Sequence, residues 1–149
     1  MMQIVLNADD FGASASINTA IMQAHRQGVL TSASLMVTGD AAAEAVALAR
    51  EAPDLAVGLH IVVACGRAAL PPDSIPHLVD RDGFFPNDPV RAGLRYYFSQ
   101  TAQAELAAEI EAQFERFAAT GLALSHVDSH LHMHLHPTVL RLLPEKNAA

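Results

Sequence analysis

Four short runs rich in apolar residues alternate with helical patterns, and that alternation limits the chain to a parallel α/β sheet or barrel. The first run, Gln3 to Leu6, reads as a buried strand ending at Asn7-Ala8-Asp9-Asp10. Gly12 marks a turn. A helix follows, capped by Ser14 or Ser16, with Ile17, Ala20, Ile21 and Ala24 at helical spacing and Gly28 as its stop. Thr31 to Val37 reads as a second strand, and Asp40 as the cap of an Ala-rich helix reaching Arg50. Leu55 to Val63 is the third strand. The stretch 64–100 has no clear period. It holds Pro71-Pro72, Pro76, Pro86, Pro89 and an Asp82-Gly83 turn signal, and reads as a long functional loop. A helix from Thr101 to Ala119 sets Leu106, Ile110, Phe114 and Phe117 on one stripe. Leu122 to His130 forms the fourth strand, and Pro137 opens a last helix through Leu143.

Reactive residues in such folds gather at the C-terminal ends of the strands. The candidates stand there: Asp9 and Asp10 after the first strand, His60 late in the third, and a histidine run after the fourth. Five of the chain's eight histidines fall between His126 and His136. Extended backbone alternates its side chains between two faces. A strand through the run would put His126, Asp128, His130, His132, His134 and His136 on one face. Val127, Leu131, Met133 and Leu135 would lie on the other. A row of imidazoles suits a metal ion, since neutral imidazole is the commonest metal ligand.

With 51% hydrophobic and 17% charged residues in 149, the chain is globular and the length of one domain. A net charge of −7 without a basic cluster argues against a nucleic-acid partner. The single cysteine, Cys65, excludes an internal disulfide and a Cys-based zinc site. No apolar stretch is long enough to span a bilayer, and the first residues do not read as a signal peptide. A cytoplasmic location is the expectation.

Asn7-Ala8-Asp9-Asp10-Phe11-Gly12, Gly58-Leu59-His60 and His126-Val127-Asp128-Ser129-His130-Leu131-His132 together resemble the signatures of the YdjC-type carbohydrate deacetylases. The similarity extends through Thr31 to Val37 and Asp82-Gly83-Phe84-Phe85. This family includes chitooligosaccharide deacetylases and a branch associated with hopanoid biosynthesis. The resemblance implies a (β/α) barrel-like fold and hydrolytic removal of acetyl groups from N-acetylated sugars. It implies one divalent metal ion, magnesium or zinc foremost, held by Asp10, His60 and His130, with Asp9 as the catalytic base. Leu131 departs from a family pattern that often has three consecutive histidines. Members are longer than this chain. Residues 1–149 are therefore expected to form a single truncated domain, the N-terminal half of the barrel, with a long loop at about 64–100.

The remaining polar residues fit around that core. Asp128 reads as orienting a ligand histidine rather than binding the ion, and His132 and His134 as facing substrate. Either could protonate the departing amine, although the resemblance places the general acid in the other half. His25 and His77 read as surface residues, and Phe84 and Phe85 as loop anchors. The substrate would be a chitooligosaccharide or an N-acetylglucosaminyl lipid, the latter drawing the protein to a membrane surface. A half barrel leaves strand edges open, so a homo-oligomer is expected. Two rivals stand beside this reading: a non-catalytic metal-binding half barrel, and another metallohydrolase such as a phosphoesterase.

Overall fold

The computed structural model describes residues 4–143. Four parallel strands form one sheet in the order β1-β2-β3-β4: β1 (Asn7–Phe11), β2 (Ser32–Leu35), β3 (Ala56–Ile61) and β4 (Val127–Ser129). The connections carry α1 (Ala15–Gln27), α2 (Ala42–Arg50), α3 (Pro89–Phe98) and α4 (Gln100–Ala119), and α5 (Pro137–Leu142) follows β4. Short 3-10 turns occupy Pro72–Ser74 and His130–Leu135. This is the α/β architecture the alternating pattern predicts.

The core lies between sheet and helices. Phe11, Leu35, Leu59 and Ile61 are fully buried on the strands, packed with Ile21 and Met22 of α1, Ala45 and Ala49 of α2, and Leu106, Ile110 and Phe117 of α4. Helix starts follow capping chemistry. Ser14 accepts from Ile17 N at 3.3 Å, Asp88 accepts from the amides of Val90 and Arg91, and Ser99 accepts from Ala102 N at 3.2 Å. Helix α4 also buries two polar side chains. Glu109 accepts from Ala69 N at 2.7 Å and Leu70 N at 2.9 Å, while Gln113 bonds both the N–H and the carbonyl of Val62. Together they fasten the chain leaving β3.

Four sequence expectations need correction. Gln3 lies outside the described residues, and β1 begins at Asn7, four positions later than the apolar run suggests. Ile4, Val5 and Leu6 are exposed rather than buried, because β1 is an outer strand of the sheet. Asp40 does not cap α2; Ala41 holds that position without a side-chain bond. The stretch 64–100 is not structureless. Asp88 followed by Pro89 at the first helical position starts α3, and the buried Tyr96 of α3 donates to Val63 O at 2.5 Å. Finally, β4 covers only Val127–Ser129, starting five positions after Leu122. Ser129 Oγ accepts from His134 N at 2.7 Å and folds the chain back on itself, with Leu131 and His132 in the left-handed region at φ 55° and 56°. The histidine run therefore does not share one strand face.

Candidate metal centre

The two aspartates of β1 reach the same place because the strand is irregular. Alternation would send Asp9 and Asp10 to opposite faces. The β1–β2 register slips between Ala8 and Phe11, and Asp10 takes φ 62°. A bulge of this kind re-aims a side chain. Just beyond it, Gly12 at φ 96° donates its N–H to the buried Asn18, whose amide also bonds Ala41 O and Glu44. That brace fixes the turn after β1 against the start of α2.

His60 and Asp128 are register partners on β3 and β4, so they face one another across the ladder. Asp128 Oδ1 accepts from His60 Nδ1 at 2.7 Å, and Ser34 on β2 donates to Asp128 Oδ2 at 2.7 Å. Burial alone would raise the Asp128 carboxyl. The hydrogen bonds from His60 and Ser34, with the neighbouring imidazoles of His60 and His126, outweigh it and hold the group below its ordinary value.

The other nitrogen of His60 faces inward. His60 is buried, and its Nε2 lies 3.2 Å from Asp10 Oδ1 without hydrogen-bond geometry, so it is a buried nitrogen with no hydrogen-bond partner. Such atoms are rare in folded proteins and call for an explanation. Asp10 Oδ1 also lies 2.9 Å from His130 Nδ1. Ligands about 2.1 Å from one ion stand about 3.0 to 3.4 Å apart at octahedral or tetrahedral angles. The separations of 2.9 and 3.2 Å are close to that spacing. One carboxylate and two imidazoles thus fit a divalent cation, and the unpartnered nitrogen is the observation that says so. A second grouping, Asp9, His60 and Asp128, is also close enough to hold an ion. It fits less well, because both carboxylate oxygens of Asp128 already accept hydrogen bonds, from His60 and from Ser34.

The structure therefore brings Asp10, His60 and His130 together, with Asp9 and Asp128 beside them. Asp9 is exposed, and its Oδ1 accepts from Asn7 Nδ2 at 2.8 Å. His132 and His134 stack edge to face at 5.9 Å between ring centres, His132 exposed and His134 turned to Ser129. His136 caps α5 by accepting from Thr138 N, and its ring lies against Gly93. Phe85 is buried as an anchor, whereas Phe84 is exposed beneath the Arg67 guanidinium. Asn7 and Ser34 were not legible as site residues. The signals were their places in the Asn7–Gly12 signature and in the Thr31–Val37 stretch, where Ser34 is a polar residue between Ala33 and Leu35.

No helix among the described residues is long and apolar enough to cross a membrane. A carbohydrate deacetylase from Brevibacillus brevis is 43% identical over 142 residues, which cover 95% of this chain and 54% of the relative. One from Geobacillus stearothermophilus is 41% identical, with the same coverage. Among solved structures, an Enterococcus faecalis V583 protein, there proposed to cleave cellobiose-phosphate, superposes with a TM-score of 0.79 at 31% identity. It covers 93% of this chain and 52% of that one. The chain thus spans about half the length of these relatives. The family profile described as YdjC-like protein matches residues 3–145, and the chain belongs to that family.

Proposed function

We propose that this chain carries the cation-holding part of a hydrolase that removes the acetyl group from an N-acetylated sugar. The observation that carries the reading is the convergence of Asp10 and His130 on the unpartnered, buried Nε2 of His60. The carbohydrate deacetylases among the relatives supply the substrate class. Asp10, His60 and His130 would hold one divalent cation, with magnesium and zinc the first candidates for a mixed carboxylate and imidazole set. When bound, such an ion polarises the acetyl carbonyl and lowers the pKa of water from 15.7 toward about 7 in favourable cases.

The protein's own groups do the rest. Asp9, exposed beside the triad, takes the proton of the attacking water as general base. Asn7 holds one of its oxygens and so orients the other. Asp128 keeps His60 in place from behind. The C–N bond breaks to acetate and a free amino sugar, and the departing nitrogen needs a proton. His132 or His134, the imidazoles of the turn that follows β4, would supply it. The sugar is a chitooligosaccharide or the head of an N-acetylglucosaminyl lipid. A cytoplasmic enzyme, peripheral to a membrane if its substrate is a lipid, fits this chemistry. Exposed Ile4, Val5 and Leu6 beside the outer strand β1 favour association with a second copy, to be read by light scattering.

The test measures cation content and acetate release on one preparation, with N-acetylglucosaminyl substrates and an Asp9→Asn control. Bound cation with Asp9-dependent acetate release is the expected result. No cation uptake after supplementation overturns the reading. Cation uptake without acetate release from any substrate establishes the non-catalytic alternative. Phosphate release from a sugar phosphate, without acetate release, would point instead to a phosphoesterase. Against that, no Arg or Lys hydrogen bonds to the triad among the described residues.

A further inference from the structure

Behind His60 a row of hydrogen-bonded side chains crosses the sheet, and the carboxylate in it assigns the direction of the bonds around it. Asp128, a carboxylate at neutral pH, only accepts. Ser34 has one proton, and it goes to Asp128 Oδ2 at 2.7 Å. The Ser34 oxygen must then accept from Asn7 Nδ2 at 2.8 Å and from His126 Nε2 at 3.0 Å. His126 therefore carries a proton on Nε2, and in the neutral ring its Nδ1 accepts from Ser125 Oγ at 2.6 Å. By the same rule His60 donates from Nδ1 to Asp128, which in a neutral imidazole leaves the lone pair on Nε2. That is the nitrogen without a partner.

Gly58 supplies an independent observation. It lies in the buried middle of β3, and a Cβ there would stand 2.5 Å from the His126 ring. The missing side chain is the space the ring fills, so the strand is built to admit His126. Glycine weakens a strand interior and marks a close approach.

We propose that Ser34 and His126 are positioning residues: they pin the Asp128 carboxylate with its Oδ1 on His60 Nδ1, and so lock His60 as its Nδ1–H tautomer with Nε2 aimed at Asp10 and His130. They act through Asp128 and touch neither cation nor substrate. The part concerning cation affinity rests on the reading of the triad given above; the tautomer does not.

The experiment uses the 149-residue chain with 15N-labelled histidine. Long-range proton–nitrogen correlation reads the His60 tautomer without metal, and titration with Zn2+ alone reads affinity. The wild type is expected as a single Nδ1–H tautomer. His126→Phe, at a half-buried position, and Ser34→Ala should each give mixed tautomers. Zn2+ affinity should fall about 10-fold in the first and up to about 100-fold in the second, the usual range for groups behind a ligand. His126→Gln keeps an N–H donor toward Ser34 and should restore both readouts. A wild-type His60 protonated on Nε2 overturns the proposal. So does an unchanged tautomer in folded His126→Phe, which decides the matter even if Ser34→Ala does not fold. A wild type that takes up no Zn2+ while its tautomer still responds to these substitutions defeats the triad reading and leaves the positioning row standing.

Discussion

Two carboxylates, Glu109 on α4 and Asp128 on β4, organise two of the buried polar networks among the described residues, and these networks end differently. The oxygens of Glu109 accept from Ala69 N, Leu70 N and Gln113, and Gln113 closes on the backbone of Val62. Each of these donors meets an acceptor. Burial pushes the Glu109 carboxyl up in spite of those bonds and the nearby Arg116. Asp128 is also partly buried, but its partners win and it is held down. Its network runs out at a nitrogen that has nothing to bond. A polar cluster that closes on itself is a fastener. One that stops short leaves an atom without a partner.

That contrast can be broken at several points. The largest expected effect is on chemistry: Asp9→Asn should lower acetate release about 10²- to 10⁴-fold, the usual share of a general base, with Zn2+ affinity retained. Next is Glu109→Ala, which orphans two backbone amides and should lower stability to urea by about 2 to 4 kcal/mol. It should leave the response to cation untouched. In the wild type, cation at about 100 times its Kd should add about 2.7 kcal/mol to unfolding. His130→Ala should abolish that increment and Glu109→Ala should keep it; the reverse would erase the distinction between the two networks.

The smallest effect is in the pH dependence, where the two carboxylates oppose one another. The raised pKa of Glu109 lets the folded chain keep a proton that the unfolded chain has released. Stability therefore falls as pH rises from about 4.3 through the folded value. The lowered pKa of Asp128 acts the other way. Its contribution is present above about 3.9 and is lost as pH falls through the folded value. Glu109→Gln should flatten the first slope and Asp128→Asn the second, in urea titrations across the acid range.

Helix α4 and the histidine run mark the limits of what the sequence discloses. The stripe of Leu106, Ile110 and Phe117 is local and periodic, and all three are buried. The triad residues were legible by type and by their positions after strands. The geometry that unites them was not, because it rests on departures from regular backbone. Asp10, Leu131 and His132 adopt left-handed conformations, which are uncommon for any residue but glycine even though Asp and His enter them more often than most. Alternation along the run failed once Ser129 captured the His134 amide. Helix α3 hid behind its prolines, although Asp88-Pro89 is a helix start. Ser34 gains its meaning from His126 and Asp128, more than ninety positions away.

Asp10 and His130 lie at the two outer strands of the sheet, 120 positions apart in the chain. In a flat sheet those strands would be about 14 Å apart at the usual strand spacing. Their side chains meet only because the sheet curls. An ion shared between them would therefore act as a drawstring on the sheet's curvature. Loading should quiet the breathing of both margins at once, so amide exchange in β1 and β4 slows together while the already enclosed β2 changes little. The reactive centre would then also govern how tightly the sheet is rolled.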